Sequence, residues 1–264
     1  MLMAGDRSPG RVVAVDWSGR ASGAARYRWA AEVVDGQLVS LRDGWEIPTL
    51  VDHLRALATD DVGLAVGLDF SFSLPVWFLD TIGVADGPEL WEVVEAEGER
   101  WLRECAPPFW GRTGRPRPEQ THWRETEAEV AAVGGIRPKS SFQVGGAGSV
   151  GTGSLRGMPL LTRLRDAGFS IWPFDPPRLP MVMEVWPRQF TGPVIKRRAD
   201  DRMRHVTQRG LPVAAAANED AFDAAVTALG LWGERERLAA LPALTDPVSR
   251  REGRIFSPGL RSAP

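Results

Sequence analysis

Short runs of β-branched and other apolar residues alternate along the chain with longer stretches in which apolar residues recur every three or four positions. The first pattern predicts buried strands, and the second predicts helices with one buried face. Strand-like runs lie at residues 11–15, 26–34, 37–41, 62–68, 170–174 and 181–186. Helical spacing lies at residues 49–58, 88–105, 159–167, 199–208 and 218–229. This interleaving predicts an α/β fold.

The order of the first elements limits the topology of the sheet. Asp35 and Gly36 are a hairpin-turn signal between the second and third strand runs. Three strands joined in this way, followed by a helix and a fourth strand, form a mixed sheet in which the fourth strand is parallel to the first. We therefore expect a mixed sheet flanked by helices.

The pattern changes between residues 74 and 157, which we interpret as a large, mainly helical insertion. This stretch contains five tryptophans: Trp77, Trp91, Trp101, Trp110 and Trp123. Residues 107–120 and the glycine-rich residues 145–157 are predicted to be loops. We expect residues 1–10 to be a disordered N-terminus and residues 11–260 to be one domain, a size that a single core can stabilise.

Composition excludes several classes of protein. The 264 residues are 43% hydrophobic and carry a net charge of -2, which is typical of a globular domain rather than a disordered or polyanion-coating chain. The single cysteine, Cys105, rules out a disulfide framework within the chain. The sequence shows neither a signal peptide nor a membrane-spanning run, so we expect a cytoplasmic location and no membrane partner. It leaves the oligomeric state open.

Two similar tetrapeptides suggest a functional site. Val15-Asp16-Trp17-Ser18 and Leu68-Asp69-Phe70-Ser71 each end an apolar strand run. Ligands gather at the carboxyl ends of parallel strands, so neighbouring strands would bring Asp16 and Asp69 together. Two close carboxylates stay charged only if a cation lies between them. The alternative is that each aspartate simply begins a turn.

Three further acids are candidates for the same site. Glu184 lies inside an apolar strand run, where a carboxylate is buried only if it is paired, unless the strand is an edge strand with Glu184 in water. Asp220 and Asp223 share one face of an alanine-rich helix that Asn218 is predicted to cap. Asp220 is equally explained by the helix dipole. Asp223 lies deeper in the helix and ranks above Asp220 as a ligand.

Carboxylate oxygens without cysteine or histidine select Mg²⁺ or Mn²⁺. Two such ions held by several carboxylates activate water and stabilise the leaving oxygen of a phosphodiester. This chemistry assigns catalytic roles to Asp16, Asp69, Glu184 and Asp223, and metal-binding roles to these four and Asp220.

Five segments together resemble the family called domain of unknown function 429, which is described as predicted ribonuclease H-like nucleases. The segments are Ala14-Val15-Asp16-Trp17-Ser18-Gly19, Gly67-Leu68-Asp69-Phe70-Ser71, Glu184-Val185-Trp186-Pro187, Asp220-Ala221-Phe222-Asp223-Ala224-Ala225 and Glu252-Gly253-Arg254-Ile255. The resemblance spans residues 12–258. It implies a ribonuclease H-like fold, in which we expect a mixed five-stranded sheet flanked by helices. It also implies a strand aspartate at Asp16 and at Asp69, a strand glutamate at Glu184, and a final-helix aspartate at Asp223 with Asp220 near it. In the wider superfamily, which includes Holliday-junction resolvases, such positions bind metals. The tryptophan-rich stretch departs from the family pattern.

Other segments are candidates for substrate contact. Lys139 and Ser140 precede the glycine-rich loop, whose backbone amides could cradle a phosphate, although a flexible loop explains it as well. Arg198 belongs to a basic segment at residues 196–209, which suits either phosphate contact or a solvated helix face. Arginines and aromatic residues also alternate at residues 109–124, as in single-strand binding surfaces or in a packed insertion with an exposed arginine loop.

We therefore expect a nuclease-like, metal-dependent phosphodiester hydrolase with nucleic acid, RNA or DNA, as its partner. Two alternatives stay open. One is an ATP-binding phosphotransferase of the actin-like and sugar-kinase type, which normally needs two such cores. The other is a non-catalytic binding module with a relic acidic site.

Overall fold

The computed structural model describes residues 8–59, 63–119, 122–146 and 148–259. Within them, one mixed sheet is formed by β1 (Arg11–Asp16), β2 (Trp29–Val34), β3 (Gln37–Arg42), β4 (Leu64–Leu68), β5 (Ser170–Trp172) and β6 (Met181–Glu184). The strand order is β3-β2-β1-β4-β6-β5. β1, β4, β6 and β5 are parallel neighbours, whereas β2 is antiparallel to both β1 and β3. The mixed α/β sheet, with β4 parallel to β1, is confirmed.

The sheet has six strands, so the expectation of five was wrong. The predicted strand run at residues 170–174 forms β5, which joins the sheet as a sixth strand by pairing with β6 through three residues at its edge. The predicted hairpin between β2 and β3 is confirmed, since Asp35 and Gly36 both have positive φ, as a tight hairpin turn of this type requires. β2 begins at Trp29, later than expected, because Ala24–Tyr27 forms a 3-10 turn. Of the predicted disordered N-terminus, residues 1–7 lie outside the described residues.

Helices cover both faces of the sheet. They are α1 (Ile47–Leu57), α2 (Val76–Ile82), α3 (Gly87–Glu104), α4 (Glu125–Glu129), α5 (Gly151–Asp166), α6 (Arg188–Thr191), α7 (Ala199–Gln208), α8 (Glu219–Gly233), α9 (Arg235–Ala239) and α10 (Pro247–Glu252). No described helix combines the length and the hydrophobicity needed to cross a bilayer.

Strand alternation divides the core into two layers. Val13, Val15 and Val182 pack with α3 and α5 on one face of the sheet, hereafter the α5 face. Val12 and Ala14 pack on the opposite face against α8, hereafter the α8 face. The predicted N-cap of α8 is confirmed, because the Asn218 side chain accepts a hydrogen bond of 2.7 Å from the Ala221 N–H.

The tryptophan-rich stretch is mostly core. Trp91 is fully buried, and Trp101 packs beside Phe78 and Phe109 in the same hydrophobic cluster as the α5 face of the sheet. Trp123 is the exception, with 38% of its surface exposed. The insertion is therefore joined to the sheet by continuous apolar packing.

Helix α5 begins at Gly151, well before the predicted start at residue 159, so much of the expected glycine-rich loop is helical. The glycines permit close approach rather than flexibility. A Cβ on Gly151 would lie 2.2 Å from the Ser141 carbonyl oxygen, and one on Gly19 would lie 2.4 Å from the Gly153 Cα. The loop after β1 therefore rests directly on the first turn of α5.

Gly151→Ala should destabilise the fold by about 1–3 kcal/mol, because the added methyl group must displace backbone. Gly233→Ala is the matched control, since a Cβ there meets nothing within 4 Å. It should be neutral or stabilise slightly, by reducing the entropy of the unfolded chain. Urea unfolding of both variants measures the difference. Equal stability of the two would contradict the close-packing argument.

Candidate functional site

Strand register places two of the predicted acids side by side. Val15 is paired with Leu68 in the parallel β1–β4 ladder, so Asp16 and Asp69 follow at equivalent positions. The Asp69 N–H donates to the Val15 carbonyl at 3.1 Å, which holds the two strand ends together. By alternation both side chains belong to the α8 face of the sheet.

Helix α8 supplies the third acid. It crosses β1 and β2, and the Asp223 side chain is buried at 2% exposure. Helix α8 can lie this close to the sheet only because β4 has a glycine there, since a Cβ on Gly67 would lie 2.7 Å from the Leu231 side chain of α8. Asp16, Asp69 and Asp223, here called the aspartate cluster, line one cleft of about 690 Å³. Asp220 lies at the edge of this cleft, one turn earlier on α8.

Burial and mutual repulsion dominate the electrostatics of the aspartate cluster. Burial, together with the charges of Asp223, Asp69 and Asp220, raises the pKa of Asp16 well above its ordinary value. Burial and the Asp223 charge raise the pKa of Asp69 to about 7. Burial also raises the pKa of Asp220 and Asp223. The folded protein therefore holds these carboxylates at an energetic cost that a cation would relieve.

Lysine 196 supplies part of that positive charge. The Lys196 ammonium donates to Asp223 Oδ2, and its charge lowers the pKa of Asp16 and Asp69 as well. Its backbone is fixed by the buried Arg202, whose guanidinium donates to the Lys196 carbonyl at 2.5 Å. Asp223 Oδ1 is buried and has no hydrogen-bond partner among the described residues. The sequence indicated the basic segment but gave no sign that Lys196 and Arg202 point inward.

The structure pairs Glu184 with an arginine rather than with the aspartate cluster. Glu184 belongs to the α5 face of the sheet, opposite to Asp16 and Asp69, because it alternates in phase with Val182. Its oxygens accept hydrogen bonds of 2.5 and 2.8 Å from the fully buried Arg124 and one of 2.9 Å from the Phe72 N–H. Both oxygens are therefore occupied, although Glu184 lines the same cleft as the three aspartates and its charge contributes to the raised pKa of Asp69. The metal-ligand role of Glu184 stays a prediction. The edge-strand alternative is wrong, since Glu184 is 3% exposed.

Arg124 and two further acids form a buried network that the sequence did not reveal. Arg124 Nε donates to Glu127 at 3.0 Å, and its guanidinium also donates to the Glu252 carbonyl at 2.9 Å. Burial raises the pKa of Glu127 to about 7, while Arg124 opposes that rise. The Glu252 carboxylate accepts from the Val76 and Glu125 N–H groups and so caps α2 and α4. The network fastens the insertion and the C-terminal segment to β6.

Of the predicted substrate-binding residues, only Lys139 lines the cleft. Ser140 is buried, and its hydroxyl donates to the His122 carbonyl and accepts from the Phe142 N–H. Ser140 therefore stabilises its own loop and lies outside the cleft. Arg198 is exposed at the N-terminus of α7, also outside the cleft lining, so phosphate contact by Arg198 stays a prediction. The cleft rim instead presents Arg20, which covers the ring of Tyr27 at 3.8 Å.

As the side chains stand, no group of three or more acidic, histidine or cysteine residues in the described ranges is arranged so that it could hold a metal ion. The aspartates interact electrostatically, but Lys196 takes one oxygen of Asp223. Carboxylate oxygens and a buried, unpartnered Asp223 Oδ1 nonetheless match the donor preference of Mg²⁺ and Mn²⁺. A divalent ion at Asp223 would therefore compete with the positive charge of Lys196, which already occupies Oδ2.

Arg124→Met should destabilise the protein by about 3–5 kcal/mol, because it leaves two buried carboxylates without a counter-charge. Arg163→Met is the matched control, since Arg163 pairs with Glu95 at the surface and should cost at most about 1 kcal/mol. Adding Glu127→Gln and Glu184→Gln to Arg124→Met should recover part of the loss. Urea unfolding of the three variants measures these changes in the free energy of unfolding. Equal losses for Arg124→Met and Arg163→Met would contradict a stabilising role of the network.

Asp69→Asn should change how stability depends on pH. Folded Asp69 keeps its proton to a pH of about 7, whereas an unfolded aspartate releases it near about 4. The stability that Asp69 contributes is therefore complete below that lower pKa and is lost as the pH rises toward 7. The free energy of unfolding of Asp69→Asn, relative to wild type, should rise from pH 4.5 to 7.5 in urea unfolding with chelator present. The exposed Asp52→Asn serves as control, and a pH-independent difference for Asp69→Asn would refute the shift.

Comparisons with family models, with curated proteins and with solved structures gave no significant match for this chain.

Proposed function

We propose that this protein is a metal-dependent, nuclease-like phosphodiester hydrolase with a ribonuclease H-like core, related to the domain of unknown function 429 family. The observation that carries the proposal is the aspartate cluster, in which three carboxylates from β1, β4 and α8 meet in one cleft with raised pKa values. Packing of the core does not require carboxylates that repel one another. Acids with strongly shifted pKa values in a cleft therefore favour a functional site. A cytoplasmic location remains a prediction of the sequence.

Asp16, Asp69 and Asp223 would hold Mg²⁺ or Mn²⁺, with Asp220 at the rim. A bound ion of this kind polarises a phosphoryl oxygen and lowers the pKa of water. The chain's own contribution is to fix the carboxylates on two strands and one helix, and to bury them where electrostatic interactions are strong. Arg124 and Glu184 support the α5 side of the cleft without contacting the ion.

Mn²⁺ should raise the melting temperature of the wild-type protein by binding the folded state. Asp16→Asn and Asp223→Asn should reduce this rise, because each removes a ligand charge. Lys196→Met should increase it, since the ammonium no longer competes for Asp223. Arg198→Met is the matched control, because it removes a nearby positive charge outside the cleft and should leave the rise unchanged. No thermal shift at millimolar Mn²⁺ would contradict the proposal.

The aspartate variants also test the predicted phosphodiesterase activity. Wild type should hydrolyse a small phosphodiester such as bis(4-nitrophenyl) phosphate, and labelled oligonucleotides, with Mg²⁺ or Mn²⁺. Ca²⁺ should support hydrolysis poorly, because its looser coordination misaligns the attacking water. Asp16→Asn and Asp69→Asn should reduce product formation below detection. Hydrolysis that persists in Asp16→Asn would show that the cluster is not the site.

A non-catalytic binding module is the second candidate, and the Lys196–Asp223 ion pair favours it, because this pair already neutralises part of the cluster. In that case Mn²⁺ should give no thermal shift, no variant should hydrolyse a phosphodiester, and oligonucleotide binding should survive Asp16→Asn. Measuring all three properties on one preparation separates the two functions.

A further inference from the structure

We propose that the loop of residues 110–117, here called the arginine loop, binds the phosphates of a single-stranded nucleic acid whose reacting bond lies in the cleft. The inference rests on the proposed function, because it names the substrate class of the same site. It is carried by charge, by an exposed aromatic face and by the hydrogen bonds that hold the loop against the segment leading into the cleft.

The arginine loop carries three positive charges, of which, in the part of the chain that the structure describes, only that of Arg112 acts on a nearby acid, because it helps to lower the pKa of Glu99. Arg112, Arg115 and Arg117 are all exposed and, within the described residues, none of their guanidinium groups forms an ion pair. They line a shallow pocket of about 390 Å³ together with Trp110 and the loop backbone. Unpaired arginines grouped in this way favour a multivalent anion, and arginine matches phosphate geometry through its planar fork of donors.

The loop backbone is held in place before any ligand arrives. The Gly111 N–H donates to the Arg115 carbonyl at 2.9 Å, and the Arg115 N–H donates to the Arg112 carbonyl at 2.9 Å. Gly111 has a φ of 101° and packs on Gly145 so closely that a Cβ would lie 2.3 Å from the Gly145 carbonyl oxygen. A fixed backbone lowers the entropic cost of presenting three arginines to one ligand.

An aromatic platform lies beside these charges. The Trp123 ring is 38% exposed, lies 4.5 Å from the His122 ring and is covered on part of its surface by the Arg117 guanidinium at 5.2 Å. Unpaired bases stack on such rings, whereas bases inside a duplex present their faces only to each other. The combination of free arginines and an exposed indole therefore favours a single strand over a duplex.

The arginine loop and the cleft wall are joined by two hydrogen bonds and a short segment. The Trp110 N–H donates to the Phe142 carbonyl at 3.1 Å, and the Val144 N–H donates to the Trp110 carbonyl at 2.9 Å. Gly148, which lines the cleft, follows Gly145 by three residues and so lies within about 11 Å of it. The arginine loop therefore packs against the segment that leads into the cleft lining, and a single strand that follows this segment would contact both surfaces.

The test is fluorescence anisotropy with labelled 12-nucleotide DNA and RNA strands, in chelator so that nothing is cleaved. Combining Arg112→Ala, Arg115→Ala and Arg117→Ala should weaken binding at least about tenfold and reduce the slope of log K against log salt by about 2, the value for three phosphates on a single strand. The matched control combines Arg55→Ala, Arg209→Ala and Arg250→Ala, which are exposed and lie outside both pockets. It should bind within twofold of wild type.

Trp123→Ala should weaken binding about fivefold or more. Trp123→Phe should keep most of the wild-type affinity, because stacking needs an aromatic ring but not specifically an indole. Three outcomes would overturn the inference: wild-type affinity in the arginine-loop triple variant, an equal loss in the control, or tighter binding of a duplex with the same arginine dependence.

Failure of the inference and failure of the hydrolase proposal are distinguishable. Hydrolysis of bis(4-nitrophenyl) phosphate and the Mn²⁺ thermal shift do not involve the arginine loop, so they should be unchanged in its triple variant. If they persist while oligonucleotide binding ignores the loop, only the inference fails. If oligonucleotide binding depends on the loop while Mn²⁺ changes neither the melting temperature nor hydrolysis, single-strand binding is supported and the hydrolase proposal is rejected.

Discussion

The ion pairs and hydrogen bonds of the buried Arg124 guanidinium hold together the segments that form this site. It neutralises Glu184 at the end of β6 and Glu127 in α4, and it also binds the backbone of the C-terminal segment at Glu252. Three distant parts of the sequence therefore meet at one fully buried cation. Because an unpaired buried charge is very costly, each partner specifies the position of the other two.

Because of this network, the acids that line the cleft are balanced differently on the two faces of the sheet. On the α5 face the carboxylate of Glu184 is balanced by Arg124, so the charges are internal and fixed. On the α8 face Asp16 and Asp69 face Asp223 with Lys196 as a partial counter-charge. The first set stabilises the walls of the cleft. The second set leaves carboxyl groups in the cleft whose negative charge Lys196 balances only in part, and the hydrolase proposal places its chemistry there.

The sequence was sufficient for the mixed sheet, the hairpin at Asp35 and Gly36, the cap at Asn218 and the pairing of Asp16 with Asp69, because each depends on local pattern or on strand order. It was insufficient where a side chain's direction depends on alternation. Glu184 is in phase with Val182, so it belongs to the face opposite Asp16, and counting along β6 against the β4 register would have indicated this. Arg124 and Lys196 gave no local signal, since their roles depend on partners that are distant in sequence.

Lys196 has a consequence for which ions the cleft can distinguish. Its ammonium is tethered to a backbone that Arg202 holds, so it competes for Asp223 at a high and constant effective concentration. A free monovalent ion would bring the same single charge and would also lose translational freedom on binding, so it would compete poorly with the lysine. A divalent ion brings twice the charge to the same oxygens. If the cleft binds metal as proposed, a lysine placed in this way would disfavour Na⁺ and K⁺ by valence rather than by size.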